Sequence, residues 1–108
     1  MQFKSIDTQQ SLELIENGAL IIDVREKDEF DNFHIKNAFL IPLSQISSSK
    51  VLEINPDKKK IIIHCKSGVR SKQAANILVD ESYPGEIFEM DKGIIGWITN
   101  NQSVITQN

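Results

Sequence analysis

The chain has 108 residues, 12 Lys and Arg against 15 Asp and Glu, a net charge of −3, and 40% hydrophobic and 25% charged residues. Such a length and balance fit a soluble globular protein of one domain, expected over residues 1–108. The acidic balance argues against general nucleic-acid binding. No apolar run approaches a membrane span, and the opening MQFKSIDTQQ lacks the plan of an export signal.

The segment SIDTQQSLELIENG (5–18) reads as a helix, with Asp7 or Thr8 to cap it and Gly18 placed to end it. ALIIDV (19–24) is a short apolar run bounded by turn signals and predicts a buried strand. EKDEFDNF (26–33) predicts a short helix, AFLIP (38–42) a strand stopped by Pro42, and LSQISSSKVLEIN (43–55) a partly helical stretch. KIIIHC (60–65) is the third buried strand, SKQAANILVDES (71–82) a helix, GEIFEM (85–90) a further strand and GIIGWIT (93–99) a last short helix. Strands alternating with helices favour a parallel sheet covered on both faces. Ligands of such sheets sit beyond the carboxyl ends of the strands.

Cys65, the one cysteine, lies at the carboxyl end of the most apolar strand. It excludes an intrachain disulfide, and no Cys/His cluster has zinc spacing. No metal and no cofactor are expected, and the reducing cytoplasm is the expected compartment. Between Lys58 and Val79 there are six basic residues and no acidic one. CKSGVRS joins the strand to the helix that begins near Arg70 or Ser71. Gly68 permits a tight turn with positive φ, successive amides of such a turn form an anion nest, and the helix adds its positive end. With Lys66 and Arg70 as cations, all of these favour a thiolate, the nucleophilic form.

Three stretches in the right order give the chain its resemblance to a known family. IIDVREKDEFDNFHIKNAFLIP resembles a first signature of Asp-Val-Arg, a Glu-aromatic pair, His-Ile and Ile-Pro. IIIHCKSGVRS resembles an active-site loop, and MDKGIIGW a closing Gly-Gly-Ile-x-x-Trp motif. Together they resemble a single-domain rhodanese, a sulfurtransferase of the rhodanese/Cdc25 phosphatase superfamily. The resemblance implies an α/β fold with a five-stranded parallel sheet flanked by helices on both faces. It makes Cys65 a persulfide-forming nucleophile and Lys66, Ser67, Gly68, Val69 and Arg70 the substrate-binding loop. A small-molecule sulfur donor and a cyanide or thiol acceptor, a protein thiol included, are the implied partners, with the chain a monomer or weak homodimer. Phe33, Asn37 and Lys92 stand where the family pattern has glycine, which puts the local turns in question.

Asp23 and Arg25 alternate onto one face at the end of the second strand and are expected, with Ser71, to brace the loop. His64 and His34 are expected to be structural, and Trp97 to pack in the core or at its rim. A phosphatase or arsenate reductase would use Cys-x5-Arg, whereas Cys65 to Arg70 is Cys-x4-Arg. The shorter cradle favours sulfur over phosphate. A non-catalytic binding module is the other alternative, and the presence of Cys65 speaks against it.

Overall fold

The computed structural model describes residues 2–106. Residues 1, 107 and 108 of the expected domain lie outside them. The elements run β1 (Phe3–Ile6), α1 (Thr8–Glu16), β2 (Leu20–Asp23), α2 (Lys27–Asn32), β3 (Phe33–His34) and β4 (Phe39–Leu40). A 3-10 turn (Leu43–Gln45), α3 (Ser48–Ile54), β5 (Ile61–His64), α4 (Val69–Asp80), β6 (Ile87–Met90), α5 (Gly93–Thr99) and β7 (Ile105–Thr106) follow. Five strands form one parallel sheet in the order β1-β6-β5-β2-β4, and β3 pairs antiparallel with β7. The expected α/β architecture is therefore present. Among the described residues, no helix is long and apolar enough to cross a membrane.

The fifth strand of the main sheet is β1, where the sequence predicts the start of a helix. β1 is an edge strand that buries only Ile6 fully, and four residues are too few to carry a periodic signal. Helix α1 begins one residue after Asp7. The Asp7 Oδ1 accepts from the Gln10 amide at 2.8 Å, and the Gln10 Oε1 accepts from the Asp7 amide at 3.0 Å. This reciprocal cap stops the helix from extending back into the strand. The ribbon of β3 and β7, two residues each, is likewise below the reach of sequence pattern.

Period-two alternation along β5 sorts its side chains to two faces. Ile61, Ile63 and then Cys65 pack with Val51 of α3 and with Ala74, Ala75 and Leu78 of α4. Ile62 faces the other way, toward Leu12 and Ile15 of α1 and Ile94 and Trp97 of α5. A central strand covered on both faces must be apolar throughout, which is why IIIH reads as an unbroken run. After β2 the chain moves outward on one side, to β4, and after β5 it moves outward on the other, to β6. The loops after these neighbouring strands therefore separate and leave a crevice at their carboxyl ends.

Helix α5 closes this crevice. The Ile94 amide donates to the Cys65 carbonyl at 3.0 Å and the Ile95 amide to the Lys66 carbonyl at 3.2 Å. So close an approach leaves no room for a side chain at Gly93: a Cβ there would lie 2.4 Å from the Lys66 oxygen, and its φ is +60°. Lys92 has φ −96° and Phe33 φ −163°, so neither position requires glycine. Asn37 is left-handed at φ 68°, a conformation asparagine tolerates. Gly93→Ala should lower stability by about 2 kcal/mol or more. Thermal unfolding would show this as a midpoint roughly 8–16 °C lower. A midpoint unchanged from wild type would mean that α5 does not rest on the loop as described.

Candidate active site

The loop from Cys65 to Arg70 is drawn tight around the sulfur. Gly68 has φ +108°, and a Cβ there would lie 2.2 Å from the Asp91 carbonyl oxygen. Glycine is therefore required twice, for backbone angle and for space. In this conformation the Gly68 amide donates to the Cys65 Sγ at 3.2 Å and the Ser71 amide at 3.3 Å. The Ser71 Oγ lies 3.6 Å from the same sulfur. Ser71 is the third residue of α4, which begins at Val69 rather than near Arg70 or Ser71 as the sequence suggested. Its amide is thus one of the unpaired N–H groups at a helix start, and the helix dipole acts along it.

Cys65 is 1% exposed. Burial pushes its thiol up, but the Ser71 amide, the Ser71 hydroxyl and the Gly68 and Ser67 amides outweigh it, and the net direction is down. The cations expected to help stand elsewhere. The Arg70 guanidinium is paired bidentately with Glu29 of α2, at 2.7 and 3.0 Å. Among the described residues no cationic side chain hydrogen-bonds to Sγ, so the cradle is made of backbone and one hydroxyl. The Lys66 side chain is exposed and has no ion-pair partner among the described residues. Ser67 and Val69 also face outward, Val69 with 67% of its surface exposed.

Asp23 and Arg25 are both buried and form their own pair, Arg25 Nη2 to Asp23 Oδ2 at 2.8 Å. Arg25 also donates to the Phe33 carbonyl at 2.8 Å, and its guanidinium lies 5.4 Å from the Phe33 ring centre. Their bracing is directed mainly at β3. The link to the loop runs through His64, whose Nε2 is 3.5 Å from Asp23 and whose Nδ1 is 3.1 Å from the Cys65 carbonyl oxygen. Burial holds the His64 imidazole below its ordinary range, against the pull of Asp23, and so favours its neutral form. His34 stacks on Phe30 at 3.9 Å and its Nδ1 lies 3.0 Å from the Phe30 carbonyl, apart from the thiol. Beside the loop lies a cavity of about 190 Å³ lined by Arg25, Glu29, Phe33, Lys66, Ile94 and Ile98, among others. Among the described residues no group of His, Cys, Asp and Glu is arranged to hold a metal ion.

Two residues of this region are missing from the sequence reading. Glu29 belongs to the Glu-aromatic pair of the first signature, but only the tertiary fold brings it to Arg70, 41 residues away. Glu89 is fully buried on β6, where it accepts from Ser71 Oγ at 2.7 Å and lies 3.1 Å from Lys72 Nζ. Its one signal in the sequence is an acidic residue set inside the apolar run IFEM.

The sequence matches the Rhodanese-like domain over residues 7–100. The chain belongs to this family. It is 35% identical over 97 residues to the thiosulfate sulfurtransferase GlpE of Haemophilus influenzae strain PittEE, covering 90% of each chain. The rhodanese-related protein of Thermoplasma volcanium superposes with a TM-score of 0.79 at 27% identity, covering 95% of this chain and 98% of that one. A thiosulfate sulfurtransferase from Pseudomonas aeruginosa shares the fold with a TM-score of 0.89 at 23% identity, over 98% of this chain and 21% of that one. The rhodanese-like domain here is thus a relative of a thiosulfate sulfurtransferase and carries a single cysteine.

Arg70 draws the Glu29 carboxyl from 4.5 down to about 2, the largest influence on that group. A carboxylate whose folded value is depressed adds stability above its unfolded value and loses it as pH falls through the folded one. The stability difference between wild type and Glu29→Gln should therefore be constant above about pH 5 and shrink between pH 4.5 and pH 2. Chemical denaturation across that range measures it, and a difference that grows on acidification would contradict the pairing. At the thiol, the alkylation midpoint of Cys65 should lie below the free-cysteine value of about 8.5. Ser71→Ala should raise it by about one pH unit, as expected for losing a hydrogen bond to a charged group.

Proposed function

We propose that the domain is a sulfurtransferase that moves a sulfane sulfur from thiosulfate, or from a persulfide or polysulfide donor, through Cys65 to cyanide or a thiol. The observation that carries this reading is the position of Sγ, where two amides and a hydroxyl converge at the start of α4. The Cys65 thiolate attacks the outer sulfur of thiosulfate. The S–S bond of the donor breaks, sulfite leaves with the bonding pair, and the negative charge passes to the terminal sulfur of the Cys65 persulfide. Cyanide or a thiolate then attacks that terminal sulfur, and the bonding pair returns to Sγ as the thiolate. Charges balance in both steps, and neither step calls for a general base or a cofactor. Loop amides of Lys66 to Arg70 are the donors for the anionic donor and for the persulfide, with Lys66 as the cation free to meet the incoming charge. The name of the related thiosulfate sulfurtransferase supports the same class of donor.

A phosphatase reading has less support. The cradle from Cys65 to Arg70 spans six residues, and the arginine that would hold a phosphoryl group is committed to Glu29. No acidic residue lies within the loop to protonate a leaving group.

Thiosulfate should add one sulfur atom to Cys65, seen by intact-mass spectrometry, and cyanide should remove it. Cys65→Ser should fold as wild type and transfer none. An unmodified mass after thiosulfate and polysulfide exposure would sink the proposal. Efficient hydrolysis of an aryl phosphate by the wild type would promote its rival. Lys66→Ala should reduce kcat/KM for thiosulfate by about tenfold to hundredfold, the worth of one charge-assisted hydrogen bond. Arg70→Ala should reduce it less, because its charge is already met by Glu29. Steady-state assays of the two variants side by side would decide between them, and a larger loss for Arg70→Ala would assign the donor site to the guanidinium.

A further inference from the structure

The Ser71 hydroxyl has one proton and three neighbours that compete for it: Glu89 Oε2 at 2.7 Å, the Gly68 carbonyl at 3.1 Å and Cys65 Sγ at 3.6 Å. The contact to the carboxylate is the shortest and is charge-assisted, so with a neutral sulfur the proton lies toward Glu89. The Ser71 oxygen then presents a lone pair to the sulfur. A thiolate at Sγ would compete for the same proton, and Glu89 has Ser5 and Lys72 as its other partners. We propose that Glu89 is a positioning residue whose carboxylate competes with the Cys65 sulfur for the Ser71 proton, so that this proton follows the charge on Sγ through the transfer cycle.

The value of such a switch follows from the two steps of the proposed sulfur transfer, on which this inference rests. In the first step charge leaves Sγ, and a donor fixed on the sulfur would hold it back: a thiolate of lower pKa is also a weaker nucleophile. In the second step charge returns to Sγ, and a donor is wanted. A hydroxyl shared with a buried carboxylate serves both. It moves to Glu89 as the persulfide forms and back to Sγ as the thiolate is released. The other charged groups here are Lys72, which bridges Glu89 and Asp91 at 3.1 and 2.9 Å, and the Arg70–Glu29 pair; Lys66 is outside. His64 on β5 belongs to the opposite face of the sheet, beside Asp23.

The contacts of Glu89 make the test specific. Ser5 and Lys72 both meet Oε1, whereas Ser71 meets Oε2. In Glu89→Gln the amide oxygen stays with the two donors, and the amide nitrogen faces Ser71. That nitrogen donates to the Ser71 oxygen and leaves the hydroxyl proton to the sulfur. The iodoacetamide alkylation midpoint of Cys65 should fall by about one pH unit, and the limiting alkylation rate at high pH should fall by about threefold. In a Ser71→Ala background, Glu89→Gln should shift the midpoint by less than half as much. An unchanged midpoint, or an equal shift in both backgrounds, would overturn the proposal, the latter because Glu89 would then act by its charge through space. In the unmutated protein, carboxyl carbon NMR of Glu89 should move with the Cys65 midpoint, and a resonance indifferent to that titration would also overturn it. This second measurement stands even where the Gln variant fails to fold. Alkylation needs no sulfur donor, so failure here is distinct from failure of persulfide formation, which intact mass reads separately.

Discussion

The amides of Gly68 and Ser71 meet at the Cys65 sulfur because β5 ends at His64 and α4 begins at Val69, with too few residues between them for any wider path. The turn closes only if Gly68 is left-handed and bare, since the Asp91 carbonyl occupies the place of a side chain. The sulfur is thereby buried and yet supplied with donors at the positive end of a helix. Burial alone would raise the thiol, and the donors reverse that direction.

The rest of the molecule holds this turn in place. From below, alternation along β5 commits Cys65 to the face packed by α3 and α4. From the side, α5 hydrogen-bonds to the Cys65 and Lys66 carbonyls, an approach that Gly93 permits. Behind it, Ser71, Glu89 and Lys72 tie the helix start to β6 and its exit. A buried carboxylate is costly unless it is paired and hydrogen-bonded, and Glu89 has a lysine and two hydroxyls.

Charge in this region is distributed differently from what the basic run suggests. Arg70 neutralises Glu29, Arg25 neutralises Asp23, and Lys72 bridges Glu89 and Asp91. Lys66 is the cation of the loop with no such partner among the described residues. On the proposed reading a donor anion would meet amides and one ammonium, a field suited to a small anion whose charge migrates during reaction. It is not the guanidinium clamp expected around a phosphoryl group.

Local patterns in the chain were enough for the alternation of strands and helices, the burial of β5, a helix cap at Asp7 or Thr8 and the thiol at the carboxyl end of the central strand. These are period, capping and turn signals, each carried within a few neighbouring residues. The edge strand β1 and the two-residue strands β3 and β7 were beyond them, because so short a segment is strand only when a partner supplies its hydrogen bonds. The partners of Arg70 and Glu89 were also decided by tertiary structure alone. Arg70 looks like a substrate clamp in CKSGVRS until Glu29, on another helix, pairs with both of its terminal nitrogens. Glu89 is an acidic residue inside the apolar strand β6 until Ser5 of β1 and Ser71 of α4 supply its partners. The pairs Arg70–Glu29 and Lys72–Glu89 join residues far apart in the chain, and neither composition nor spacing encodes which partner the fold brings within reach.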